Sequence, residues 1–291
     1  MRSKPGVKCL SERLPSGLYL VATPIGNLLD LSLRAIEVLQ NVDVIACEDT
    51  RITSKILNRH NIKTAMRTYH EHNATRVRPA ILSKIKQGGA IALVSDAGTP
   101  TISDPGYKLV KECIESGIEI SSTPGANAAI TGLLLSGLPT NRFLFAGFLS
   151  PKTNQRRNEL EELANVPATL IFYESAKRLV ATLKDMFEQL GNRPAAIARE
   201  LTKHHEEVRR NKLSVLTSHY LNMGAPKGEI VIVVGPPLKK TPPSGKELDD
   251  LIFAQLQTLS VRDTTAKIVL ETGLPKQKIY AQALRLHKAL S

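Results

Sequence analysis

Short apolar runs alternate with amphipathic stretches along the first half of the chain, and this alternation restricts the fold more than any other feature. Residues 18–22 (LYLVA) are apolar and end at a Pro-Ile-Gly-Asn turn, which predicts a buried strand leading into a loop. Apolar residues spaced by three or four positions follow over 29–39 and predict a helix capped by Asn27 or Asp30. Residues 42–46 predict the next strand, so the three segments form a β-α-β unit.

The same alternation continues through the first half. Helices are predicted around 81–85, at 107–115 and at 126–135, and strands at 90–94 and 118–121. Strands that alternate with helices form a mostly parallel sheet that helices cover on both faces. An α/β fold is therefore the expected architecture.

A second strand-rich region begins after a predicted domain boundary near 137–142. It ends at residues 235–245 (GPPLKKTPPSG), whose prolines and glycines can hold neither a helix nor a central strand and predict a linker. Between these points the pattern predicts strands at 143–148, 169–173, 195–198, 213–216 and 230–234, and helices at 158–164 and 179–190. The resulting plan is an N-terminal extension (1–16), two α/β domains (17–139 and 140–236), a linker (237–245) and a helical tail (246–291).

The charge of the chain constrains its partners. Its 291 residues contain 39 Lys and Arg against 27 Asp and Glu, a net charge of +12, which predicts a polyanionic partner or an anionic membrane surface. No apolar run approaches the roughly 18 residues of a membrane span, and the first residues lack the apolar stretch of a signal peptide. We therefore expect a cytoplasmic protein that does not enter a membrane. The three cysteines, Cys9, Cys47 and Cys113, are too widely spaced to indicate a disulfide framework.

Four unusual turns each follow a predicted strand: TPIGN, EDTR, SDAGTPTISDPG and TPGANA. In an open parallel sheet, loops at the carboxyl ends of the strands line the ligand crevice. Glycine lets the backbone of such a loop approach a ligand closely, and Gly26, Gly98, Gly106 and Gly125 are placed for that role. Ordinary β-α turns are the alternative for each one, but four on one edge predict a binding site.

Several common kinds of site lack their sequence patterns. The chain has neither GxGxxG nor GxxxxGK[ST], the spacings that cradle the phosphates of dinucleotides and nucleoside triphosphates. It also lacks a GxSxG elbow, so covalent catalysis has no support. The groups at 70–72 (HEH) and 204–206 (HHE) lack ligands one helical turn apart, so we expect solvent-exposed histidines and no metal.

Several long motifs together resemble one known family. They are LYLVATPIGNLLDLSLRAIEVLQNVDVIACEDTR, ALVSDAGTPTISDPGY, TPGANAAITGLLLSGLPTNRFLFAGFLSPK, TLIFYES and ARELTK. In this order, over about residues 17–235, they are similar to the ribosomal RNA small subunit methyltransferase I family of the tetrapyrrole methylase superfamily. The resemblance implies two α/β domains with S-adenosylmethionine in the cleft between them, and a homodimer. It also implies methylation of a cytidine ribose 2′-hydroxyl in small-subunit (16S) ribosomal RNA, as naked RNA or in the assembled subunit. The helical tail matches a small domain that many members carry.

The resemblance also implies which residues contact the donor. These lie in the loops that follow several strands, and they are Pro24, Ile25, Gly26, Gly98, Thr99, Ile102, Gly125, Asn127, Ala128, Tyr173, Glu174, Leu201 and Pro226. Porphyrin-modifying members usually have GPGD and GDP in the first two loops, where this chain has PIGN and GTP. The difference removes two carboxylates and favours the RNA branch. A tetrapyrrole methylase and a non-catalytic RNA-binding assembly factor remain the alternatives.

Three carboxylates in the predicted crevice loops, Glu48, Asp49 and Asp104, are candidates for the base that a weakly nucleophilic ribose hydroxyl needs. Arg51 is a candidate for orienting a phosphate. For Glu48, Asp49 and Arg51 the alternative is a structural charge cluster that caps a helix and braces a loop.

Basic residues of the second half are candidates for contacts to RNA phosphates, and the alternative is a solvated charged face. They are Arg156, Arg157, Lys203, Arg209 and Arg210. Aromatic residues make up only 4% of the chain and tryptophan is absent, so we expect backbone and shape contacts to outweigh base stacking.

The tail has the cadence of a helix-turn-helix, with helices at 264–272 and 276–290 on either side of Gly273-Leu274-Pro275. It is a candidate RNA-binding module, and docking on the main body or a dimer contact are the alternatives. Its predicted small core consists of Ile268, Leu274, Ile279, Leu284 and Leu286, and its basic exterior of Lys267, Lys276, Lys278, Arg285 and Lys288.

Overall fold

The computed structural model describes residues 14–238, residue 243 and residues 245–290. Most of the predicted N-terminal extension, with Cys9, lies outside the described residues, and so does part of the predicted linker. The described residues divide into two compact units, with the division between Pro237 and Leu238.

The first sheet has five parallel strands in the order β3-β2-β4-β1-β5. Its strands are β1 (Gly17–Val21), β2 (Val44–Cys47), β3 (Met66–Thr68), β4 (Ala90–Val94) and β5 (Ile120–Thr123). The helices that follow these strands are α1 (Leu33–Asn41), α2 (Thr50–Arg59), α3 (Ala74–Lys86), α4 (Tyr107–Glu115) and α5 (Ala128–Ser136).

Both faces of the first sheet are covered, as the alternation predicts. Helices α1 and α2 bury residues such as Val38 and Leu57 against one face. Helices α3 and α4 bury residues such as Ile81 and Leu109 against the other face. Because all five strands are parallel, their carboxyl ends and the loops that follow lie at one edge.

The second sheet is mixed, with the order β6-β7-β10-β8-β9. Only β6 and β7 pair in parallel, and the other pairs are antiparallel. Its strands are β6 (Phe143–Phe148), β7 (Thr169–Ser175), β8 (Pro194–Arg199), β9 (Glu207–Lys212) and β10 (Glu229–Val234). Its helices are α6 (Thr153–Leu163), α7 (Leu179–Leu190) and α8 (Leu213–Met223), which bury one face of the sheet.

Helix α5 covers the other face of the second sheet, although it follows β5 of the first sheet. Leu133 of α5 packs in one cluster with Val231 and Val233 of β10. The contact is close, because a Cβ on Gly132 would lie 2.8 Å from Val231 Cγ1. Helix α5 therefore joins the two sheets into one body and positions its own amino terminus between them.

The second unit consists of three helices, α9 (Gly245–Leu256), α10 (Val261–Thr272) and α11 (Lys276–Leu290). Ser260 caps α10 through its side-chain oxygen, and Gly273 ends that helix at a φ of 67°. The turn at 273–275 separates α10 from α11 as predicted. The small core of this unit consists of Leu248, Ile252, Ile268, Ile279 and Ala283.

The predicted α/β class is confirmed, but some predicted elements are wrong. Residues 213–216 begin helix α8 and not a strand, because Leu213, Leu216 and Tyr220 are buried at helical spacing. The strand in this region is β9, which lies at the sheet edge and carries exposed charges.

The predicted cap of the first helix is also wrong. The side chain of Ser32 caps α1, whereas Asn27 caps a short 3-10 turn at Leu28–Asp30. Leu29 and Leu33, counted as core positions in the sequence pattern, are 76% and 86% exposed. The helix begins later than the apolar spacing indicates.

Candidate functional site

A cavity of about 440 Å³ lies between the carboxyl-terminal loops of the first sheet and strands β7 and β10 of the second. Ten of the predicted site residues line it: Ile25, Gly98, Thr99, Ile102, Asp104, Asn127, Ala128, Tyr173, Glu174 and Leu201. Pro24, Gly26, Glu48, Asp49, Gly125 and Pro226 are not among the lining residues. The roles of all these residues in binding and catalysis stay predictions.

Sequence reasoning missed half of the cavity wall. Asp96, Ala97 and Ser103 belong to a turn that the sequence singled out, so its glycine and proline content was the available signal. The other missed residues come from the second sheet and have no local signal; they are Phe148, Ser175, Ala176, Gly228, Glu229, Ile230 and Val231.

The loop after β4 is held in an unusual backbone conformation. Gly98 has a φ of 87°, and Thr101 and Ser103 have φ values of 72° and 61°, a region that the Cβ atom of an L-residue disfavours. Non-glycine residues in this region persist only where their surroundings enforce the conformation, and they concentrate at functional sites. The backbone strain and the cavity therefore both indicate that the loop after β4 belongs to the functional site.

Gly26 and Gly125 serve close packing in the structure. A Cβ on Gly26 would lie 2.9 Å from the carbonyl oxygen of Leu201, so this glycine lets the first-strand loop meet the loop after β8. A Cβ on Gly125 would lie 2.8 Å from Ala22 Cβ. The expectation that Gly125 leaves space for a ligand is corrected, because the space beside it is occupied by the end of β1.

Side chains fix the amino terminus of α5 at the cavity wall. Asn127 caps the helix by accepting a 3.1 Å hydrogen bond from Ile130 N, and its amide donates to Thr99 Oγ1 over 3.3 Å. The Ala129 N–H donates to the Tyr173 hydroxyl over 3.2 Å. These bonds tie the loop after β4, helix α5 and strand β7 into one frame.

Three carboxylates near the cavity have raised pKa values. Burial, followed by the negative charges of Glu48 and Asp96, raises the pKa of Asp104 to about 6. Burial and the charge of Asp96 raise the pKa of Glu48, and burial also raises the pKa of Asp96. Asp104 lines the cavity and titrates close to neutral pH, which suits a group that accepts a proton.

Asp49 has a different environment from these three. Its side chain caps α2 by accepting from Arg51 N over 2.8 Å, and Arg51 Nη2 donates to Asp49 Oδ2 over 2.6 Å. These hydrogen bonds lower the pKa of Asp49 to about 2. A carboxylate held this firmly in its ionised form is a weak proton acceptor at neutral pH, so the geometry favours the structural alternative for Asp49 and Arg51.

Glu174 is buried, and its carboxylate accepts hydrogen bonds from neighbouring side chains. Arg178 donates to both of its oxygens, over 2.8 and 3.0 Å, and the Thr182 hydroxyl donates over 2.5 Å. The side chain thus braces the carboxyl end of β7 against α7.

The predicted RNA-contacting residues of the second half form ion pairs or hydrogen bonds with other groups of the protein. Arg156 is 3% exposed and lies 2.5 Å from Asp185, so its prediction as a phosphate contact is corrected to a structural role. The other four bond as follows: Arg157 with Asp185 and Glu188, Lys203 with Glu200 and Glu229, Arg209 with Glu207, and Arg210 with the Leu135 carbonyl.

Two absences hold for the part of the chain that the structure describes. Within it, no group of three or more His, Cys, Asp or Glu side chains is arranged to hold a metal ion. None of its helices combines the length and the apolar character that crossing a bilayer requires.

Comparison with known sequences identifies close relatives. The sequence model for Tetrapyrrole (Corrin/Porphyrin) Methylases matches residues 17–217. A protein of Mesorhizobium japonicum named ribosomal RNA small subunit methyltransferase I is 46% identical over 274 residues, which cover 94% of this chain and 93% of that protein. A protein of the same name from Synechocystis is 45% identical over 273 residues, covering 92% and 98%.

Solved structures share the fold at low sequence identity. A diphthine synthase aligns with a TM-score of 0.59 at 14% identity, over 75% of this chain and 89% of that chain. A uroporphyrin-III C-methyltransferase from Thermus thermophilus, complexed with S-adenyl homocysteine, aligns with a TM-score of 0.53 at 19% identity, over 75% and 97%.

Sequence identity of this extent, together with a family match that covers the first sheet and most of the second, establishes the relationship. The chain belongs to the tetrapyrrole methylase superfamily and, within it, to the ribosomal RNA small subunit methyltransferase I family.

Proposed function

We propose that this chain transfers a methyl group from S-adenosylmethionine to the ribose 2′-hydroxyl of a cytidine in small-subunit (16S) ribosomal RNA. The names of its relatives support an rRNA methyltransferase. The observation that carries the choice of an oxygen acceptor is Asp104, a carboxylate with a pKa of about 6 in the wall of the cavity.

The cavity fits the proposed donor. Its volume of about 440 Å³ lies within the usual range for small-molecule sites, and its walls are mainly apolar with a few polar groups. Asp96 and Asp104 line the cavity, and their negative charge would complement the positive charge of a sulfonium. Gly98 has no Cβ, so its backbone can adopt a positive φ and form part of the cavity wall. Gly98, Thr99, Asn127 and Ala128 would hold the donor.

The residues of the chain have three tasks in this reaction. When bound, S-adenosylmethionine would supply an electrophilic methyl group, and its sulfur would be the leaving group when the ribose oxygen takes the methyl group. The loops after β4 and β5 align donor and acceptor, which is the main contribution a protein makes to an in-line displacement. Asp104 accepts the proton of the 2′-hydroxyl, and the apolar wall, including Ile102, excludes water.

The proposal includes the assembly and the location of the protein. We propose a homodimer, supported by helix α5, whose Ile130 and Leu134 are 40% and 69% exposed although α5 is apolar on all sides. We propose that it acts in the cytoplasm, on ribosomal RNA or the assembled small subunit. Light scattering of the purified chain tests the dimer.

One experiment separates the proposed function from its alternatives. The chain is incubated with methyl-labelled donor and, separately, with assembled small subunits lacking the modification, with naked 16S RNA and with a porphyrin precursor. Labelled 2′-O-methylcytidine in digested RNA, identified by mass spectrometry, is the expected product. Label in the porphyrin would indicate a tetrapyrrole methylase, and RNA binding without any label would indicate an assembly factor.

A further inference from the structure

Half of the net charge of the chain lies in one short segment at the edge of the first sheet. Residues 50–78 contain seven Lys and Arg and a single carboxylate, Glu71, which gives a net charge of +6 out of +12. Three consecutive elements in this segment, α2, β3 and α3, contain no acidic residue at all. Strand β3 is one of the two edge strands of the sheet.

The outer face of α2 concentrates this charge. Arg51, Lys55 and Arg59 are spaced by four residues, so they lie one above the other on one side of the helix. All three are exposed, and the residues that α2 buries, such as Ile56 and Leu57, lie on the opposite side. We call Arg51, Lys55 and Arg59 the α2 stripe.

The α2 stripe begins beside the cavity. Arg51 is bonded to Asp49, and the Asp49 N–H donates a 3.0 Å hydrogen bond to Asp96 Oδ1. Asp96 lines the cavity. The stripe therefore extends along α2 from the rim of the site, over about 12 Å at 1.5 Å per residue.

Three charges of this edge have no partner within the part of the chain that the structure describes, whereas Arg51 pairs with Asp49 and Arg78 pairs with Glu112. The charged groups of Lys55, Arg59 and Arg67 of β3 form no ion pair and donate no hydrogen bond there. In contrast, Arg199 and Arg209 of the second sheet both pair with Glu207. Like charges four residues apart destabilise a helix, and a merely solvated face usually alternates its charges. An external polyanion would remove this repulsion.

We propose that the α2 stripe and Arg67 bind the phosphate backbone of the ribosomal RNA substrate and lead the strand towards the cavity. This inference rests on the proposed function, and it moves the main RNA contact from the second half of the chain to the edge of the first sheet. The contacts are to phosphates, so they contribute affinity and position and do not select a base sequence.

The test removes three charges and measures the salt dependence of RNA binding. The variant Lys55→Gln/Arg59→Gln/Arg67→Gln is compared with Lys86→Gln/Lys108→Gln/Lys184→Gln, which removes three other exposed, unpaired charges from α3, α4 and α7. Arg51 stays in place because it bonds Asp49. Binding to assembled small subunits and to naked 16S RNA is measured between about 50 and 200 mM salt.

The edge variant is expected to bind both forms of the RNA about tenfold or more weakly at 100 mM salt, with a slope of log affinity against log salt that is shallower by about two to three units. The control variant keeps the slope of the unaltered chain, and both variants keep donor affinity and thermal stability. An unchanged slope in the edge variant, or an equal loss in the control, overturns the inference.

Two other outcomes would distinguish a failure of this inference from a failure of the proposed function. Weaker binding of the edge variant to assembled subunits, with an unchanged slope on naked RNA, would indicate a ribosomal protein partner and overturn the proposed RNA contact. Failure of the unaltered chain to methylate any RNA would overturn the proposed function, while the salt slopes still decide whether this edge binds RNA.

Discussion

Thr23 and Gly98 exchange two backbone hydrogen bonds: Thr23 N–H donates to the Gly98 carbonyl over 2.9 Å, and Gly98 N–H donates to the Thr23 carbonyl over 3.0 Å. The Thr23 hydroxyl also donates to the Ser95 carbonyl over 3.0 Å. The loops that follow β1 and β4 are thereby joined just where the cavity begins. Gly98 can make these bonds because its φ of 87° costs glycine little.

Replacing Gly98 by alanine is expected to weaken donor binding. A Cβ at this position would lie 3.3 Å from Ile25 Cγ2, and the positive φ costs an L-residue about 1–2 kcal/mol. Both effects shift a loop that forms the cavity wall. Isothermal titration with S-adenosylmethionine should show at least a severalfold loss of affinity in Gly98→Ala.

Gly88→Ala is the matched control for this prediction. Gly88 has a similar φ of 93°, but a Cβ there would meet nothing within 4 Å, and Gly88 is not among the cavity-lining residues. This variant should lose a comparable amount of stability while its donor affinity stays unchanged. Equal donor affinity in both variants would show that Gly98 does not shape the donor site.

Asp104→Asn is expected to abolish most turnover and to raise stability at neutral pH. The pKa of Asp104 is about 6 in the folded chain against an ordinary value of 3.8, so the ionised form is disfavoured by folding. A neutral amide removes its repulsion with Glu48 and Asp96. Turnover of the unaltered chain should rise with pH through about 6 and then level off, because only the carboxylate accepts a proton.

The stability gain has a defined pH dependence. Below pH 6 the folded chain binds a proton at Asp104 that the unfolded chain binds only near pH 4, so the unaltered protein is stabilised as the pH falls through this window. The advantage of Asp104→Asn in thermal midpoint should therefore shrink between pH 7 and pH 4. Normal turnover in Asp104→Asn with an unshifted pH profile would show that Asp104 is not the group that accepts the proton.

Asp49→Asn is expected to keep turnover and its pH profile. A pKa of about 2 means that Asp49 does not titrate at the pH values of the assay. Asparagine caps helices as well as aspartate does, so α2 keeps its cap but loses the ion pair with Arg51. Thermal midpoints of Asp49→Asn and Asp49→Ala should fall, and more for alanine. A loss of turnover in Asp49→Asn with an unchanged midpoint would contradict this structural role.

Much of the first sheet could be predicted because its signals are local. Strand β4 and helix α4 have the predicted bounds, Ala90–Val94 and Tyr107–Glu115, since an apolar run and a helical repeat need no tertiary information. Helix α2 and strand β3 were not predicted. The three residues Met66–Thr68 are too short and too polar to form an apolar run, and β3 exists because it pairs with β2.

The candidate site also has residues that local sequence signals predict and residues that only the tertiary structure brings in. Turn chemistry singled out the loops that contain Gly98 and Asn127, because glycine, proline and capping residues mark them in the sequence. The wall formed by Gly228–Val231 could not be predicted, because β10 reaches the cavity only by pairing between β7 and β8. Nor does the sequence reveal that Arg156 is buried, since its partner Asp185 lies 29 residues away.

Arg156→Gln is expected to destabilise the protein without weakening RNA binding. Both Arg156 and Asp185 have side chains that are 4% exposed, and removing one partner of such a pair costs about 3–5 kcal/mol where the other charge is left unpaired. Asp185 keeps its ion pair with Arg157, so we expect a loss near the lower end of this range. Urea unfolding should show this loss, and a smaller one in Arg157→Gln, whose side chain is 38% exposed. The salt dependence of RNA binding by Arg156→Gln should match that of the unaltered chain. A shallower salt dependence for this variant would indicate that Arg156 contacts RNA.

The three-helix unit after Pro237 is expected to bind RNA and to be dispensable for the donor. Its core of five residues shares no member with the clusters of the first unit, so a chain that ends at Pro237 should fold and bind S-adenosylmethionine with unchanged affinity. Within the described part of the tail, Lys267 bonds Gln255 and Arg285 pairs with Asp249. Lys276, Lys278 and Lys288 have no such partner there and remain available to phosphates.

The shortened chain should therefore bind small subunits more weakly, with a salt slope shallower by about two to three units, since each lost phosphate contact removes somewhat less than one unit. Part of the slope should remain, because the α2 stripe and Arg67 are intact. Combining the truncation with the edge variant should lower the slope further, by an additive amount if the two surfaces bind separate phosphates. Equal affinity and slope with and without the tail would show that these lysines do not contact RNA, and loss of folding would show that the tail docks on the main body.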